Sequence, residues 1–342
     1  MKYAWNVPTA LLLLAAGSPS AADGLKERVV LPAHEEWVYC LAFAPDGKTV
    51  ATGGRQHNRQ TGQSAGELKL WDVDTGKQRA VMYGHTSEIR VLAFAPDGKA
   101  LATGTTDNAI KVWDVETAKE ALSVRTAEFG AYGLGFSPDG KTLGYAGHLA
   151  VRLVDAATGR ELASFRRRGR DGTPIFSSDF KTFVAPNHQD ADLYDIVTGK
   201  VRLVLEDHRG SVSRLAFSAD GKTLAVASYR SEYPKYFGEI KLWDPATGRE
   251  RATFKDVINM VRAMTLSPDG KFVAVAGSKE LTGPNDIKLI DVATGRELRV
   301  ATTGGKDWVS CLAFSPDGRR LAAGIGKTVT LWEVPSDPIG SK

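Results

Sequence analysis

Cysteine is almost missing from this chain of 342 residues; only Cys40 and Cys311 occur. Two thiols cannot build a disulfide framework or a cysteine-rich zinc site. The six histidines are scattered without metal-ligand spacing, and no H-E-x-x-H occurs. No G-x-S-x-G nucleophile motif occurs; the nearest approach, at Gly135, reads G-F-S-P-D. The chain also lacks an N-x-[ST] glycosylation acceptor. Neither sign of charge dominates: the formal net charge is +4, too small to argue for nucleic acid as a partner. No apolar run reaches the ~20 residues of a spanning helix. Outside the first residues no stretch holds a helical period of useful length, which leaves strands.

What the chain has in abundance is repetition. A large apolar residue, a small pair and then Asp-Gly-Lys or a close variant begins at Phe43, Phe94, Phe136, Phe176, Phe217, Leu266 and Phe314. A second phrase follows each: LKLWDVDTGK from Leu68, IKVWDVETAK from Ile110, VRLVDAATGR from Val151, and so on to a truncated VTLWEV from Val329. Successive copies lie 40 to 51 residues apart. Self-similarity at such a period decides the architecture before any local motif does.

The N-terminus reads as a secretory signal. Lys2 supplies the positive start, residues 10–16 (ALLLLAA) the short apolar core, and residues 20–22 the small cleavage site. A retained membrane anchor is the alternative. Residues 1–22 are therefore set aside, 23–335 are assigned to the repeats, and 336–342 to a short tail. Export implies a periplasmic or extracellular location.

One repeat shows the local structure. Residues 89–94 alternate and favour a strand; Pro96, Asp97 and Gly98 make a tight turn; residues 100–103 are a second strand. Residues 110–113 and 120–124 give a third and a fourth. Four short antiparallel strands form one propeller blade, so the fold class is all-β, a seven-bladed β-propeller. The last repeat stops after its third strand. Residues 28–31 are expected to pair with residues 328–334 and close the ring, which removes the exposed sheet edges. Cys40 and Cys311 hold equivalent positions in the first and last repeats. Their side chains should point the same way around the ring and stay reduced, as two buried thiols.

The order GH…V…FSPDGK…LATG…D…IKVWD resembles the WD-repeat (tryptophan–aspartate repeat) seven-bladed β-propeller family, in its bacterial exported type, over roughly residues 28–334. The resemblance implies a hydrogen-bonded set within a blade: His85, Thr103, Asp107 and Trp113 in the second. The first blade has His34, Thr52 and Trp71, but Ala65 at the Asp position; the fifth keeps His208 and Trp243. The third, fourth and sixth carry Val154, Tyr194 and Ile290 where Trp is expected. With so sparse a set, apolar packing between blades must hold most of the ring.

Some motifs tempt and fail. Residues 135–142 (GFSPDGKT) match a phosphate-binding loop formally, but lead into a strand, not a helix. The acids at the starts of the inner strands (Glu35, Glu36, Glu88, Glu128, Asp171, Asp256 and Asp307) read as solvated turn charges. No catalytic residue, metal or cofactor is assigned.

Three insertions carry more. They fall between the second and third strands of the first, fifth and sixth blades, at residues 55–66, 229–238 and 278–286. These turns open on the face where each inner strand begins. That face is expected to gather Trp37, Tyr39, His57, Arg59, Arg90 and Tyr132. From the later blades it adds Tyr229, Arg230, Tyr233, Lys235, Tyr236, Arg262, Lys279 and Trp308. Aromatics and arginine are what binding hot spots are made of. The expected function is a non-enzymatic scaffold that binds a protein or peptide there. A carbohydrate or small-ligand propeller is the alternative, and a channel-mouth lactonase or lyase a further one. The dense run Arg166, Arg167, Arg168 and Arg170 suggests a second contact, with an anionic partner.

Overall fold

The computed structural model describes residues 25–57, 64–126, 130–169, 172–232, 235–278, 283–304 and 307–336. The leader proposed at 1–22, most of the tail, Glu128 and Asp171 lie outside them. Twenty-eight strands form seven four-stranded antiparallel sheets, and no helix occurs among the described residues. Each sheet is a blade with strands a to d from the axis outward. In the first blade these are Val38–Phe43, Thr49–His57, Ser64–Asp72 and Gln78–His85.

The repeat phrases become turns. In the a–b turn, the Asp side chain of the Pro-Asp-Gly phrase accepts the backbone N–H two residues on, as Asp139 does from Lys141 at 3.1 Å. In the c–d turn, the aspartate of the tryptophan–aspartate pair accepts both N–H and hydroxyl of the Thr three residues later. Asp114 takes both from Thr117 at 2.7 Å, and Asp72, Asp155, Asp195 and Asp291 do the same with their own Thr. This capping geometry explains why the acid recurs: it closes a hairpin. A second recurring tie runs from strand c to strand d, as Lys111–Glu120, Lys241–Glu250 and Lys288–Glu297.

The ring closes as expected. Lys26–Leu31 becomes the outermost strand of the seventh blade, paired with Thr328–Glu333 from Lys26↔Glu333 to Leu31↔Val329. Buried apolar side chains fall into seven clusters, one at each junction between blades. Leu31, Val38 and Trp71 pack on Val329 and Leu331 where the two ends of the chain meet. Packing between blade faces is therefore the main apolar contact, because an isolated four-stranded sheet leaves both faces uncovered.

The junction of blades three and four meets the missing Trp differently. Phe165, Phe176, Phe180, Phe183 and Tyr194 pack together there, with Phe176 stacked on Phe180 at 5.3 Å. The inner strand of that fourth blade is only Ile175–Phe176. Pro174, just before it, has no N–H to extend the ladder.

The insertions correct a sequence expectation. In the first and fifth blades they are not irregular loops; they lengthen strands b and c into nine-residue pairs. In the fifth, Leu224–Glu232 pairs with Lys235–Trp243 out to Glu232↔Lys235. Each ribbon starts at a close approach. A Cβ on Gly66 would sit 2.3 Å from the Ser87 carbonyl oxygen, and one on Gly238 would sit 2.0 Å from that of Ile258. Only glycine lets the incoming d–a connection of the next blade cross there.

Candidate functional site

The registers Val38↔Gly54 and Ile89↔Thr105 put the end of strand b beside the start of strand a. The b–c ribbons and the d–a connections therefore share one face. At its centre Trp37 and Trp308, each just before an inner strand, lie with ring centroids 6.3 Å apart. They remain 37% and 47% exposed, whereas the c-strand tryptophans Trp71, Trp113, Trp243 and Trp332 are buried. The Arg262 guanidinium lies 4.0 Å over the Trp308 ring. Next around the ring, Arg90 covers Tyr39 at 4.2 Å and donates to Glu88 at 3.0 Å. Tyr132 packs on His148 at 4.5 Å.

A second group sits on the fifth-blade ribbon. The Tyr229 and Tyr236 rings are 6.4 Å apart, and Arg209 and Arg230 flank the Phe237 ring at 4.9 and 5.6 Å. Arg230 also reaches Glu232 at 2.8 Å, and Lys235 is exposed at the end of the ribbon. On the first-blade ribbon, His57 and Arg55 both bond the Ser64 hydroxyl. Arg59, Tyr233 and Lys279 lie outside the described residues.

Arg214 ties blade five to blade six, and sequence reasoning missed it. It stands on strand a of the fifth blade (Ser211–Phe217), at the position that Cys40 and Cys311 hold in theirs. Its Nε donates to the Arg262 carbonyl oxygen at 2.5 Å, and its Nη1 to that of Ser213 at 2.8 Å. Burial, then the Arg262 charge, pull it below the usual arginine range, while Tyr229 acts the other way. A lone Arg in a strand of apolar and small residues was the available signal.

The structural set of the blades departs from expectation in two places. In the second blade His85 Nε2 bonds Thr103 Oγ1 at 2.7 Å and Trp113 Nε1 donates to the same oxygen at 2.8 Å. Asp107 is not part of that chain; it accepts from the hydroxyls of Thr86 and Thr105, and His85 Nδ1 is buried with no partner among the described residues. In the first blade, where Ala65 holds the expected acid position, Glu67 supplies the carboxylate from strand c, 2.8 Å from His34 Nδ1. His34 Nε2 bonds Thr52, which also accepts from Trp71. The sign in the sequence was Gly66 followed by Glu67, repeated as Gly238 and Glu239 only where strands b and c are extended.

In the arginine run the structure withdraws Arg167 from the surface. Arg166 and Arg168 are exposed, but Arg167 is only 6% exposed and donates from Nε to the Gly147 carbonyl oxygen at 3.0 Å. Arg170 lies outside the described residues. Tyr194 OH accepts the Arg168 N–H at 2.7 Å, which fixes the backbone there. Cys40 and Cys311 are free thiols. Cys40 Sγ faces the Ile89 carbonyl oxygen of the next blade, and burial pushes the Cys311 thiol up to about 11. Among the described residues no three His, Cys, Asp or Glu side chains converge in a way that could hold a metal ion. A groove of about 910 Å³ lies at the opposite end of blades six and seven and includes Asp269, Lys271, Asp317 and Arg319.

Comparison with known proteins agrees with this geometry. The family described as WD domain, G-beta repeat matches residues 25–72, 76–114, 199–231 and 297–333. Those segments take in the inner strands of the first, second, fifth and seventh blades, each entered through the outer strand of the sheet before it; Trp71, Trp113 and Trp332 lie within them and Trp243 beyond the third. Coronin-7 of Mus musculus is 35% identical over 74 residues, 22% of this chain and 7% of that protein. Guanine nucleotide-binding protein subunit beta-1 of Caenorhabditis briggsae is 28% identical over 74 residues, 22% of this chain and 19% of that protein. The similarity thus spans a small part of either relative. With four segments similar to the WD-repeat family and all seven sheets built alike, the chain folds as a seven-bladed β-propeller.

Proposed function

We propose that this propeller is a non-enzymatic protein-interaction scaffold. Its partner docks on the face formed by the b–c ribbons and d–a connections. The observation that carries the reading is the Trp37–Trp308 pair, two large rings left exposed and in contact at the centre of a rigid ring. Exposed aromatics backed by arginine, on strands that cannot shift, are the raw material of binding hot spots. One similar protein is by its name a subunit of a larger assembly, which suits a scaffold.

Export to the periplasm or the cell exterior belongs to the same proposal and rests on residues 1–22. N-terminal sequencing of the purified chain checks it; a mature protein starting near Asp23 is expected, and an intact Met1 in the cytoplasm retires it.

The test of the face is affinity capture from a periplasmic or surface extract, read by mass spectrometry. A variant with Trp37, Tyr236 and Trp308 changed to Ala should keep its fold and lose the captured partner. Undiminished capture would remove the face from consideration. The same exposed rings could stack on sugars, so a glycan array is the parallel measurement; hits lost in the variant would favour a carbohydrate ligand.

A further inference from the structure

Blade five departs from blades one and two at a single buried position. In blade two the Thr103 hydroxyl serves His85 and Trp113 together, and in blade one Thr52 serves His34 and Trp71. The matching residue of blade five is Val226, which faces Lys241 across strands b and c as Thr103 faces Lys111. Valine keeps the shape of threonine and loses its oxygen. His208 Nε2 and Trp243 Nε1 are accordingly buried with no partner among the described residues, and so is the Ser228 hydroxyl two residues on. His208 and Trp243 are each only 6% exposed, with ring centroids 5.5 Å apart. Buried polar atoms without partners are costly.

This setting fixes the imidazole as neutral. His208 Nδ1 lies 2.9 Å from the Gln189 carbonyl oxygen, which can only accept, so Nδ1 carries the proton and Nε2 is bare. A second proton has to enter at Nε2, where no acceptor waits. The charged groups around the ring are Asp190 of blade four and Glu239, Lys241 and Glu250 of blade five. Lys241 is paired with Glu250 at 2.8 Å, and Glu239 accepts the Arg209 N–H at 3.0 Å. In blade one the counterpart of Glu239 is Glu67, which faces the His34 imidazole itself. Burial outweighs the carboxylates around His208 and holds it below the ordinary 6.5.

The connection that carries His208 lies directly against the fifth-blade ribbon. A Cβ on Gly210 would sit 2.2 Å from the Tyr229 carbonyl oxygen. The Arg209 guanidinium donates to Asp256 at 2.9 Å and lies 4.9 Å from the Phe237 ring. The residue next to His208 therefore grips blade five through a backbone bond to Glu239, an ion pair and a ring contact.

We infer that His208 is a proton-operated latch on the fifth-blade ribbon: the neutral imidazole keeps residues 208–210 seated against it, and the protonated ring, with Val226 offering no acceptor for Nε2–H, unseats them. Taken with the proposed binding face, on which this regulation rests, the latch releases the partner on acidification. The unseated imidazole takes up a proton at its ordinary value of 6.5, and the seated one resists it. Seating is complete above that value and weakens as the pH falls below it.

Hydrogen–deuterium exchange of the full chain at pH 7.5 and 5.5, corrected for the intrinsic pH dependence of exchange, tests the latch without a partner. Residues 206–212 and 235–239 should lose about five- to tenfold in protection at pH 5.5, the effect of one proton over that interval. Strand Phe272–Ser278 of blade six should change less than about twofold. Val226→Thr returns a hydroxyl that can donate to the bare Nε2 or accept from Nε2–H, and should cut the blade-five response to under about twofold. His208→Gln, which takes up no proton, should do the same.

A blade-five response that is absent in the parent, matched in blade six, or retained in either variant would overturn the latch. Partner capture reads the regulation separately: it should fall at pH 5.5 in the parent and persist in Val226→Thr. Capture that survives pH 5.5 while the ribbon opens would overturn the regulation. Capture untouched by Trp308→Ala would overturn the face, and the regulation with it, and leave the exchange result standing.

Discussion

The hydroxyl of Ser310 donates a hydrogen bond of 2.5 Å to the carbonyl oxygen of Val38, across the seam where the seventh blade meets the first. The seam is thus tied at the axis as well as at the rim, where Lys26–Leu31 completes the last sheet. Without both ties the ring would expose two blade faces and two strand edges.

Leu31 is fully buried at that seam. Leu31→Ala should cost about 2–5 kcal/mol, as for other fully packed leucines. Arg28 makes two ion pairs there, to Asp74 and Glu333, but all three side chains are substantially exposed. Arg28→Ala should cost under about 1 kcal/mol. Urea unfolding read by fluorescence separates the two; equal effects would mean that charge, not burial, seals the ring.

Stability should fall as the pH drops from about 6.5 toward 4. Burial and the nearby Lys111 charge hold His85 near 4, against an ordinary value of 6.5. Between those values the unfolded chain binds the extra proton and the folded chain does not, so acid favours unfolding, by on the order of 3 kcal/mol for this group. His34 and His208 move in the same direction, chiefly through burial. In His85→Gln the midpoint should be lower at pH 7 and change less between pH 7 and 4.5. An unchanged pH slope would show that other groups dominate.

A second loss should follow below pH 4. The c–d turn aspartates Asp72, Asp114, Asp155 and Asp195 are depressed by their Thr N–H and hydroxyl donors. Asp244 falls to about 2, chiefly through Arg251. Their contribution is complete above the unfolded carboxylate value and disappears as pH falls through the folded one. Replacing Asp114, Asp155 and Asp195 by Asn together should flatten the pH 4 to 2 limb of a thermal-melt series. A limb as steep as the parent's would place the acid sensitivity elsewhere.

Phe180 stands where six sister turns have glycine, and its φ of 56° lies in the left-handed region beside their 67° to 72°. Returning it to glycine relieves on the order of 1 kcal/mol of backbone strain. The ring is buried and stacked on Phe176, and losing it costs about 3–5 kcal/mol. Phe180→Gly should therefore destabilise by roughly 2–4 kcal/mol. A variant as stable as the parent would show that the strain outweighs the packing.

The hairpins were readable because their causes are local. Asp139, Gly140 and Lys141 specify a turn within a few residues, and the strand placed at residues 89–94 is found at Ile89–Phe94. Closure was readable because the last repeat lacks a fourth strand and residues 28–31 have the right alternation. Glu67 beside His34 was not readable: Ala65 held the aligned position, and only the paired ribbon brings the carboxylate within reach. Arg167 looked like one charge among four, and its burial depends on the Gly147 carbonyl of a neighbouring hairpin.

Period and turn chemistry, which depend on contacts a few residues apart, settle the number of blades and the order of strands. Contacts made around the ring belong to the tertiary structure alone: the meeting of Trp37 with Trp308, and of Arg214 with the Arg262 carbonyl. Closing the circle makes neighbours of residues whose separation along the chain carries no pattern to read.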